Sequence, residues 1–537
     1  MGAAAGVAGI GGVAWSAQAE EGTSAGEDGG ASASGALVFD KDDYAVLTTT
    51  ISTEDGDKEV KYRFYKAITY VTNPVDEAYQ SLTVSVPVEI DGKAVDATDA
   101  PILFANSVAG FLPVSVKDAT GVNLMGGSGT GGLGTSPGSS ASVAPSASAS
   151  TSGGTGGATS GSGGKPNDNL PELGLAAGYV VVQPGSRGRT LKNSEGVYYG
   201  TAPAVIVDLK AAVRYVRFNK GRIPGDTERI ISTGSSAGGE VSALLGASGD
   251  SPLYDSYLKE LGAADVSDAV FATGAWCAIV DLENADGAYE WNWGDLAAES
   301  TGERVDETES RELISQFVDY QASLRLKGLN GFGPLTARNY DQYLLQTYLQ
   351  PAATTYLKGL SAAERTAYLA DNTFITWNNG QATFTWDGYL AHVGSRKKSL
   401  PAFDGFDLSV DINALDTNNE FGLGTTVARH FTEYSQKRDA SGTAGKRLES
   451  DIPGKLRLMN PMYHLRKGNP SRSRHWWIRL GTIDTYTSLT VSANLAATAH
   501  GLGDDVNHTM YWDQGHATNI DPGEFMKWIA EVTGYRG

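Results

Sequence analysis

The sequence predicts an α/β fold in which helices cover both faces of a mostly parallel sheet. Short β-branched segments alternate with segments of helical periodicity along much of the chain, and this alternation is typical of an open parallel sheet. The 537 residues are 41% hydrophobic and 19% charged. That composition suits a globular protein, and the length leaves room for a large core and an inserted or second domain.

Each predicted element rests on its own pattern. The segment at 79–90 alternates like a half-exposed strand, whereas those at 100–108 and 177–189 are apolar enough for buried strands. Apolar residues recur at helical spacing over 201–219, and a β-branched run at 228–234 predicts a strand. The remaining predicted elements are, in order, a helix beginning with "GGEVSALLGA", a strand at "WWIRLGT", a helix at "SLTVSANLAATAH" and a strand at "HTMYWDQ".

The chain divides into four predicted regions. Residues 1–35 form a signal remnant and a disordered tail, and residues 36–284 form the first part of the core. A stretch from 285 to 455, rich in Tyr, Trp and Gln, predicts an inserted cap, and residues 456–537 complete the core. Within the first part, 126–164 is nearly all Gly, Ser, Ala and Thr and predicts a disordered insertion, since it cannot bury enough apolar surface to offset the entropy of ordering it.

The N-terminus indicates export. "MGAAAGVAGIGGVAWSAQAEE" has a small apolar run and an A-x-A site at Ala17-Gln18-Ala19. It departs from a secretory signal in having no Lys or Arg before Lys41, so the expectation is a bacterial secreted or cell-surface protein whose signal is truncated. The alternative is a flexible Ala/Gly tail. No stretch is long and apolar enough to predict a transmembrane helix.

Charge and cysteine content exclude several classes of function. The net charge of −20 and the pI near 4.8 argue against binding to nucleic acid or an anionic membrane, because both carry the same sign of charge. The single cysteine, Cys277, excludes an intrachain disulfide. A Cys/His zinc site of the usual spacing is also absent, and no metal or cofactor is predicted.

The pattern G-x-S-x-G occurs twice, and its context decides between the copies. The copy at 134–138, "GTSPG", lies in the low-complexity insertion with no strand before it and no helix after it. The copy at 234–238, "GSSAG", lies between a β-branched strand and an amphipathic helix. A nucleophile elbow needs that geometry, because the sharp turn lifts the serine above the sheet edge. Ser236 is therefore the predicted nucleophile and Ser235 its neighbour; the alternative is a structural strand–helix turn.

A nucleophilic serine needs a base that is held by an acid, and in hydrolases with this elbow the chain order is Ser, acid, His. His516 follows the last predicted strand in "DQGHATN", where the order rule puts the base. Asp484 closes the preceding strand in "WWIRLGTID" and is the predicted acid. Asp513 and Asp504 are the rivals: the first is very close to His516 along the chain, and the second is expected in a surface turn.

The other six histidines fit the order rule less well. Four of them precede any late-strand acid, and solvent exposure is expected for His500 and His508. The predicted oxyanion hole uses the backbone N–H of Ala237, directly after the nucleophile. Its second donor is expected in the loop "NSVAGF", at Val108 or Ala109.

With these residues in place, the chain resembles the bacterial tannases, which are acyl esterases of the α/β-hydrolase fold that act on gallate esters. The resemblance rests on "FANSVAGFLP", "GYVVVQPGSRGR", "GSSAGGEVSALLGASGDSPLYDSYLKELGA", "DLENADGAYEW", "KSLPAFDGFDL", "IRLGTIDTYTSLTVSANLA" and "DVNHTMYWDQGH". It covers most of the chain outside the N-terminal tail and the Gly/Ser insertion. It implies an α/β-hydrolase fold with a large inserted cap, the same catalytic triad and a small-molecule phenolic ester as substrate. Fungal members carry a disulfide beside the triad, so this chain is not of that type.

The resemblance also implies residues that bind the phenolic hydroxyls. Lys398, before "PAFD", matches the lysine of this site. Where the family has a second aspartate after the triad acid, this chain has Tyr486. The family's glutamate has no clean match because "SVDINALDTNNEFG" is lengthened, and Asp416 or Glu420 could take its place.

The leading hypothesis is a secreted serine esterase acting on galloyl or related phenolic esters. A feruloyl- or chlorogenate-type esterase with a changed acyl pocket is the first alternative. A serine peptidase is another, because an elbow and a triad do not separate esters from amides. A surface binding module that has lost catalysis is the alternative from a different class.

Overall fold

The computed structural model describes residues 36–122, 169–410, 415–442, 445 and 447–537. The predicted signal remnant, its A-x-A site and the insertion at 126–164 lie outside these residues, as does the second G-x-S-x-G at 134–138. Within the described ranges, no helix is both long enough and apolar enough to cross a membrane.

A ten-stranded sheet forms the centre of the protein, with the strand order β1-β2-β3-β6-β5-β7-β8-β15-β16 and β4 paired with β3. Its strands are β1 Ala45–Thr53, β2 Gly56–Thr69, β3 Ser81–Ile90, β4 Lys93–Ala94, β5 Pro101–Ala105, β6 Val180–Pro184, β7 Asp226–Ser235, β8 Ala272–Trp276, β15 His475–Gly481 and β16 Asp505–Tyr511. The strands from β6 to β16 in this order pair in parallel, while β1, β2, β3 and β4 are antiparallel. The predicted mostly parallel α/β fold is therefore confirmed.

The parallel strands β5, β6 and β8 are short and buried. Every residue of β5, β6 and β8 is buried, as expected for strands that are covered by helices on both faces. The prediction of a half-exposed strand at 79–90 is wrong for most of its length, because the first seven residues of β3 are buried. In the sheet β3 lies between β2 and β6, so its serines and threonine also face protein.

Helices precede or follow most of the strands, and many more lie between β8 and β15. The helices are α1 Leu170–Ala176, α2 Ala204–Phe218, α3 Ala237–Ser248, α4 Asp255–Glu260, α5 Leu282–Trp293, α6 Glu307–Leu324, α7 Tyr340–Leu344, α8 Gln350–Gly359, α9 Ala362–Asp371, α10 Trp386–Val393, α11 Asp416–Glu420, α12 Glu433–Gln436, α13 Ile452–Met459, α14 Pro461–Arg466, α15 Leu489–Gly501 and α16 Pro522–Thr533. The predicted helices after 201, 237 and 488 correspond to α2, α3 and α15.

The chain between β8 and β15 contains helices and three small two-stranded sheets. These sheets pair β9 Ala297–Ala298 with β14 Ser395–Arg396, β10 Lys327–Gly328 with β11 Gly333–Pro334, and β12 Thr376–Asn378 with β13 Gln381–Thr383. We call residues 282–459 the inserted segment. The limits of 285 and 455 for a separate cap domain stay a prediction.

The inserted segment is bonded directly to the turn after β15. Tyr289 donates its hydroxyl proton to the carbonyl of Thr485, and the indole N–H of Trp293 donates to the carbonyl of Thr487, each at 2.7 Å. Because parallel strands end at one edge of the sheet, the segments after β7, β8, β15 and β16 meet there. The inserted segment therefore packs beside the edge where the predicted site residues lie.

Candidate active site

Ser236 occupies a strained turn between β7 and α3. Its φ of 59° and ψ of −124° are unusual for a residue with a side chain, and such strain persists only where the surroundings fix it. A Cβ on Gly234 would lie 2.3 Å from the carbonyl oxygen of Gly238, and a Cβ on Gly238 would lie 2.6 Å from that of Val108. The two glycines of the motif are thus required by close packing, as expected for the flanking glycines of such a turn.

The three residues predicted as a triad lie in one hydrogen-bonded chain. His516 Nε2 lies 2.8 Å from Ser236 Oγ, and His516 Nδ1 lies 2.8 Å from Asp484 Oδ2. The Asp484 side chain is fully buried, and its other oxygen accepts the backbone N–H of Tyr486 at 3.0 Å. The carboxylate is therefore held in one orientation and fixes that of the imidazole.

Three influences act on the His516 imidazole. Burial favours its neutral form, but the Cys277 sulfur and the Asp484 carboxylate favour the charged form, and their combined effect is larger. The pKa of His516 is therefore raised above the ordinary histidine value of about 6.5. A raised pKa makes His516 a stronger base, and it also moves the loss of the neutral form to higher pH.

Two backbone N–H groups near Ser236 remain available to an oxyanion. Within the described residues, neither the N–H of Ala237 nor that of Ala109 has an acceptor. The Val108 N–H donates to Asn106 Oδ1 at 3.2 Å, so of the two predicted loop donors Ala109 is the free one. Asn106 also donates to the carbonyls of Thr233 and Gly238, which ties this loop to the elbow.

The rival acids have other partners. Asp513 contacts His392 at 2.6 Å rather than His516. The expectation that Asp504 lies in a surface turn is wrong, because Asp504 is buried and paired with Arg472 at 2.7 Å.

His508 was expected to be exposed, but it is buried in β16 beside Ser492, and burial lowers its pKa to about 3.

Lys398 lies close to the triad without a direct partner. Its ammonium sits 3.9 Å from the ring centre of Phe403, and no described residue accepts a hydrogen bond from it. Burial lowers the pKa of Lys398, while Asp416, Asp286 and Asp484 oppose that shift. A cation with spare donors that is coupled to the triad acid can bind oxygens of a ligand.

The two candidate acids on α11 have different surroundings. Asp416 is half-buried and is the charge that acts most strongly on Lys398. Glu420 is fully buried, and neither of its oxygens has a hydrogen-bond partner in the described structure. Glu420 is coupled electrostatically to Glu240 of α3 instead. Of the two acids, Asp416 is therefore the one whose charge acts on Lys398.

The Tyr486 ring lies against the imidazole of His516. The centres of the Tyr486 and His516 rings are 4.8 Å apart with an angle of 34°, and Tyr486 is 40% exposed. The ammonium of Lys397, in the inserted segment, lies 5.9 Å from the centre of the Tyr486 ring. An exposed aromatic ring beside the base can contact a bound ester.

Cys277 also lies in this site, a position that the sequence pattern did not predict. It follows β8 directly, has a φ of 40°, and places its sulfur 3.2 Å from Ser235 Oγ. Its sulfur, a nitrogen of His516 and an oxygen of Asp484 lie within 4.8 Å of one another, which a metal ion could bridge. Since His516 and Asp484 are already bonded to each other, we interpret the cluster as part of the hydrogen-bonded site. Its position at the end of a parallel strand was the available signal.

Solved structures of two named bacterial enzymes are similar to this chain over nearly its whole length. The tannase of Fusobacterium nucleatum is 32% identical with a TM-score of 0.71, and the tannin acyl hydrolase of Lactobacillus plantarum is 29% identical with a TM-score of 0.72. A tannin acyl hydrolase in complex with 3,4-dihydroxybenzoate is 30% identical with a TM-score of 0.73. Each alignment covers 93% of this chain and 99% of the other.

Two further comparisons cover shorter stretches. A family model described as BD-FAE matches residues 159–314. The esterase LipQ of Mycobacterium tuberculosis is 36% identical over 90 residues, which is 17% of this chain and 20% of that protein. The chain thus spans about a fifth of the length of this relative, whereas the tannase structures are matched over 99% of their length. The chain belongs to the tannase family of the α/β-hydrolase superfamily and is a carboxylic ester hydrolase.

Proposed function

We propose that the protein hydrolyses esters of galloyl or related hydroxylated benzoic acids through an acyl-enzyme on Ser236. The observation that carries the proposal is the unbroken chain of hydrogen bonds from Ser236 through His516 to Asp484, at 2.8 Å each. These are the distances that a nucleophile, a base and an orienting acid require.

The reaction follows from the geometry. Ser236 Oγ attacks the ester carbonyl while its proton moves to His516 Nε2, and Asp484 stabilises the imidazolium that forms. The oxyanion of the tetrahedral intermediate accepts hydrogen bonds from the N–H groups of Ala237 and Ala109. The intermediate then collapses to the acyl-enzyme, and His516 gives its proton to the departing alcohol. A water molecule reverses these steps, releasing the acid and restoring Ser236.

The proposed acyl group is a benzoate with adjacent hydroxyls. Lys398 can donate to phenolic oxygens, and Asp416 can accept phenolic protons in charge-assisted bonds. The similarity to a tannin acyl hydrolase bound to 3,4-dihydroxybenzoate supports this acyl class. Tyr486 can bond a hydroxyl more weakly than a carboxylate could, so we propose looser discrimination between gallate and protocatechuate esters than an aspartate at this position would give.

The ester specificity is tested with methyl gallate, methyl protocatechuate, methyl ferulate, methyl benzoate and a peptide amide. We expect methyl gallate and methyl protocatechuate to be preferred.

Lys398→Ala should lower kcat/KM for methyl gallate about 5- to 150-fold, equivalent to about 1–3 kcal/mol for an unpaired buried group. Asp416→Asn should act in the same direction. Lys397→Ala is the matched control, because Lys397 is exposed and paired with Glu299. Equal rates on gallate and benzoate esters, with Lys398→Ala silent, would contradict the phenolic specificity; faster hydrolysis of the ferulate or the amide would favour the alternatives.

The nucleophile is tested by two adjacent serine variants. Ser236→Ala should lower kcat by about 10⁶-fold, as in other triads, and should prevent labelling by a fluorophosphonate. Ser235→Ala is the control and should retain most activity, because Ser235 contacts Cys277 and not His516. Retained activity in Ser236→Ala would contradict the mechanism, and absent labelling of the wild-type protein would favour the binding-module alternative.

We also propose that the protein is exported. The support is the small apolar run that ends in the A-x-A site at 17–19. Expression with its native N-terminus should give mature protein outside the cytoplasm, with an N-terminus after Ala19. Full-length protein confined to the cytoplasm would contradict the proposal.

A further inference from the structure

The loop that carries His516 also carries Asp513, which pairs with a histidine of the inserted segment. Asp513 precedes His516 by three residues, and its Oδ1 lies 2.6 Å from His392 Nε2. The hydroxyl of Tyr368 donates to the other oxygen of Asp513. Tyr368 belongs to α9 and His392 to α10, so two helices of the inserted segment converge on one carboxylate of the catalytic loop.

Aromatic contacts fix the two partners of Asp513. The His392 ring is parallel to that of Trp512, with centres 5.7 Å apart and an angle of 1°, and the ring of Phe374 stacks on His392 at 4.8 Å. The indole N–H of Trp512 donates to the Tyr368 hydroxyl oxygen at 2.7 Å. These contacts leave the imidazole and the phenol little freedom, so the carboxylate is held from both sides.

The same residue connects the two loops of the triad. The backbone N–H of Asp513 donates to Thr482 Oγ1 at 2.9 Å, and Thr482 stands two residues before Asp484. The hydroxyl of Tyr389, also on α10, donates to the carbonyl of Thr482. A displacement of Asp513 would therefore shift both the histidine loop and the acid loop.

The backbone at Asp513 is in a conformation that needs such support. Its φ of 54° lies in the left-handed region, where a residue with a side chain is strained. The side chains of Asp513 and His392 are 23% and 17% exposed, so their contact is largely shielded from water. Neither residue contacts Ser236, so this cluster has no direct part in the chemistry.

We propose that Tyr368, His392 and Asp513 are positioning residues: the inserted segment uses them to hold the 512–516 loop so that His516 stays aligned with Ser236. This inference rests on the proposed role of His516 as base. It gives the inserted segment a function in catalysis that is independent of its contacts with the acyl group.

The test compares His392→Phe, Tyr368→Phe and Asp513→Asn with the wild-type protein on methyl gallate and on p-nitrophenyl acetate. The second ester has no phenolic hydroxyl on its acyl group, so it needs the triad but not the phenol site. Misplacement of a catalytic group by about 1 Å costs about 100-fold in rate. We expect kcat to fall about 10- to 100-fold on both esters in His392→Phe, with KM changed less than threefold.

Three measurements separate positioning from a structural role. Fluorophosphonate titration counts the folded sites, so rates are expressed per active site. His392→Gln keeps an N–H donor toward Asp513 and should recover kcat to within tenfold of wild type. The double variant of His392→Phe and Asp513→Asn should lose no more than the worse single variant, because both remove one connection.

His475→Phe is the matched control. His475 pairs with Asp505 at 3.1 Å where β15 and β16 begin, at the opposite edge of the sheet. The His475→Phe variant should therefore leave kcat unchanged. The proposal is overturned if His392→Phe and Tyr368→Phe keep kcat per active site within twofold on both esters, or if only the KM for methyl gallate changes. If His392→Phe does not fold, Tyr368→Phe decides, since it removes one hydroxyl. Activity in Ser236→Ala would instead contradict the proposed function, whatever these variants do.

Discussion

Replacing Glu420 by glutamine is expected to stabilise the folded protein at neutral pH. Glu420 and Glu240 are both fully buried, and none of their four carboxyl oxygens has a hydrogen-bond partner among the described residues. Burial raises the pKa of both well above the usual value. The charge of Glu420 adds to the rise for Glu240, whereas Arg189 and Lys455 partly oppose the rise for Glu420.

The direction of the effect follows from the raised pKa of Glu420. In the unfolded chain a glutamate ionises at about pH 4.3. The pKa of Glu420 is higher in the folded protein than in the unfolded chain. Below the unfolded pKa the carboxyl is protonated in both states, so it does not reduce the free energy of unfolding. As the pH rises from there toward the folded pKa, only the unfolded chain ionises freely, so the folded protein loses stability. Each pH unit between the unfolded and the folded pKa costs about 1.4 kcal/mol of folding stability, so the cost grows as the pH rises above about 4.3. Glutamine does not ionise and so avoids this cost, but it keeps a buried polar amide, so we expect a net gain on the order of 1 kcal/mol at neutral pH.

The assay is thermal unfolding at pH 5 and pH 7.5. Glu420→Gln should unfold a few degrees above the wild-type protein at pH 7.5, and the difference should be smaller at pH 5. Asp416→Asn on the same helix is the control, because Asp416 is half-buried and should give no gain. A lower Tm for Glu420→Gln at pH 7.5 would refute the reasoning, since it would mean that an ionised Glu420 is stabilised by Arg189 and Lys455. A difference in Tm between Glu420→Gln and the wild-type protein that is the same at pH 5 and pH 7.5 would refute the reasoning as well.

Three further predictions concern the catalytic site. Asp484→Asn should lower kcat about 10⁴-fold because His516 would adopt the wrong tautomer; steady-state kinetics would show this, and a loss below tenfold would contradict the role of Asp484. Activity should be lost with a single protonation as pH falls, and Cys277→Ser should move this limb of kcat/KM to lower pH, because the sulfur helps to raise the pKa of His516; an unmoved limb would remove that role. Tyr486→Asp should increase the ratio of kcat/KM for methyl gallate over methyl protocatechuate, and an unchanged ratio would show that Tyr486 only packs.

Local patterns were sufficient to predict the position of the elbow and to propose Ser236, Asp484 and His516 as nucleophile, acid and base. Strand–turn–helix context selected Ser236 over the equivalent serine at 136, and the chain order selected His516 among seven histidines. These choices were possible because an elbow is a local structure and because parallel strands all end at one edge of the sheet. The exposure of His508 and of Asp504 was predicted wrongly, because burial there depends on helices and arginines that are distant along the chain.

The sequence by itself determined the α/β class, the order of the strands along the chain and the residues that could act as nucleophile, base and acid. Those features follow from side-chain periodicity and from turn geometry, which neighbouring residues control. Only the tertiary structure decided that Cys277 lies beside the imidazole and that Asp513 is bonded to the inserted segment. Each of these is a contact between segments far apart in sequence, whose free energy depends on how the whole chain packs and which no local pattern records.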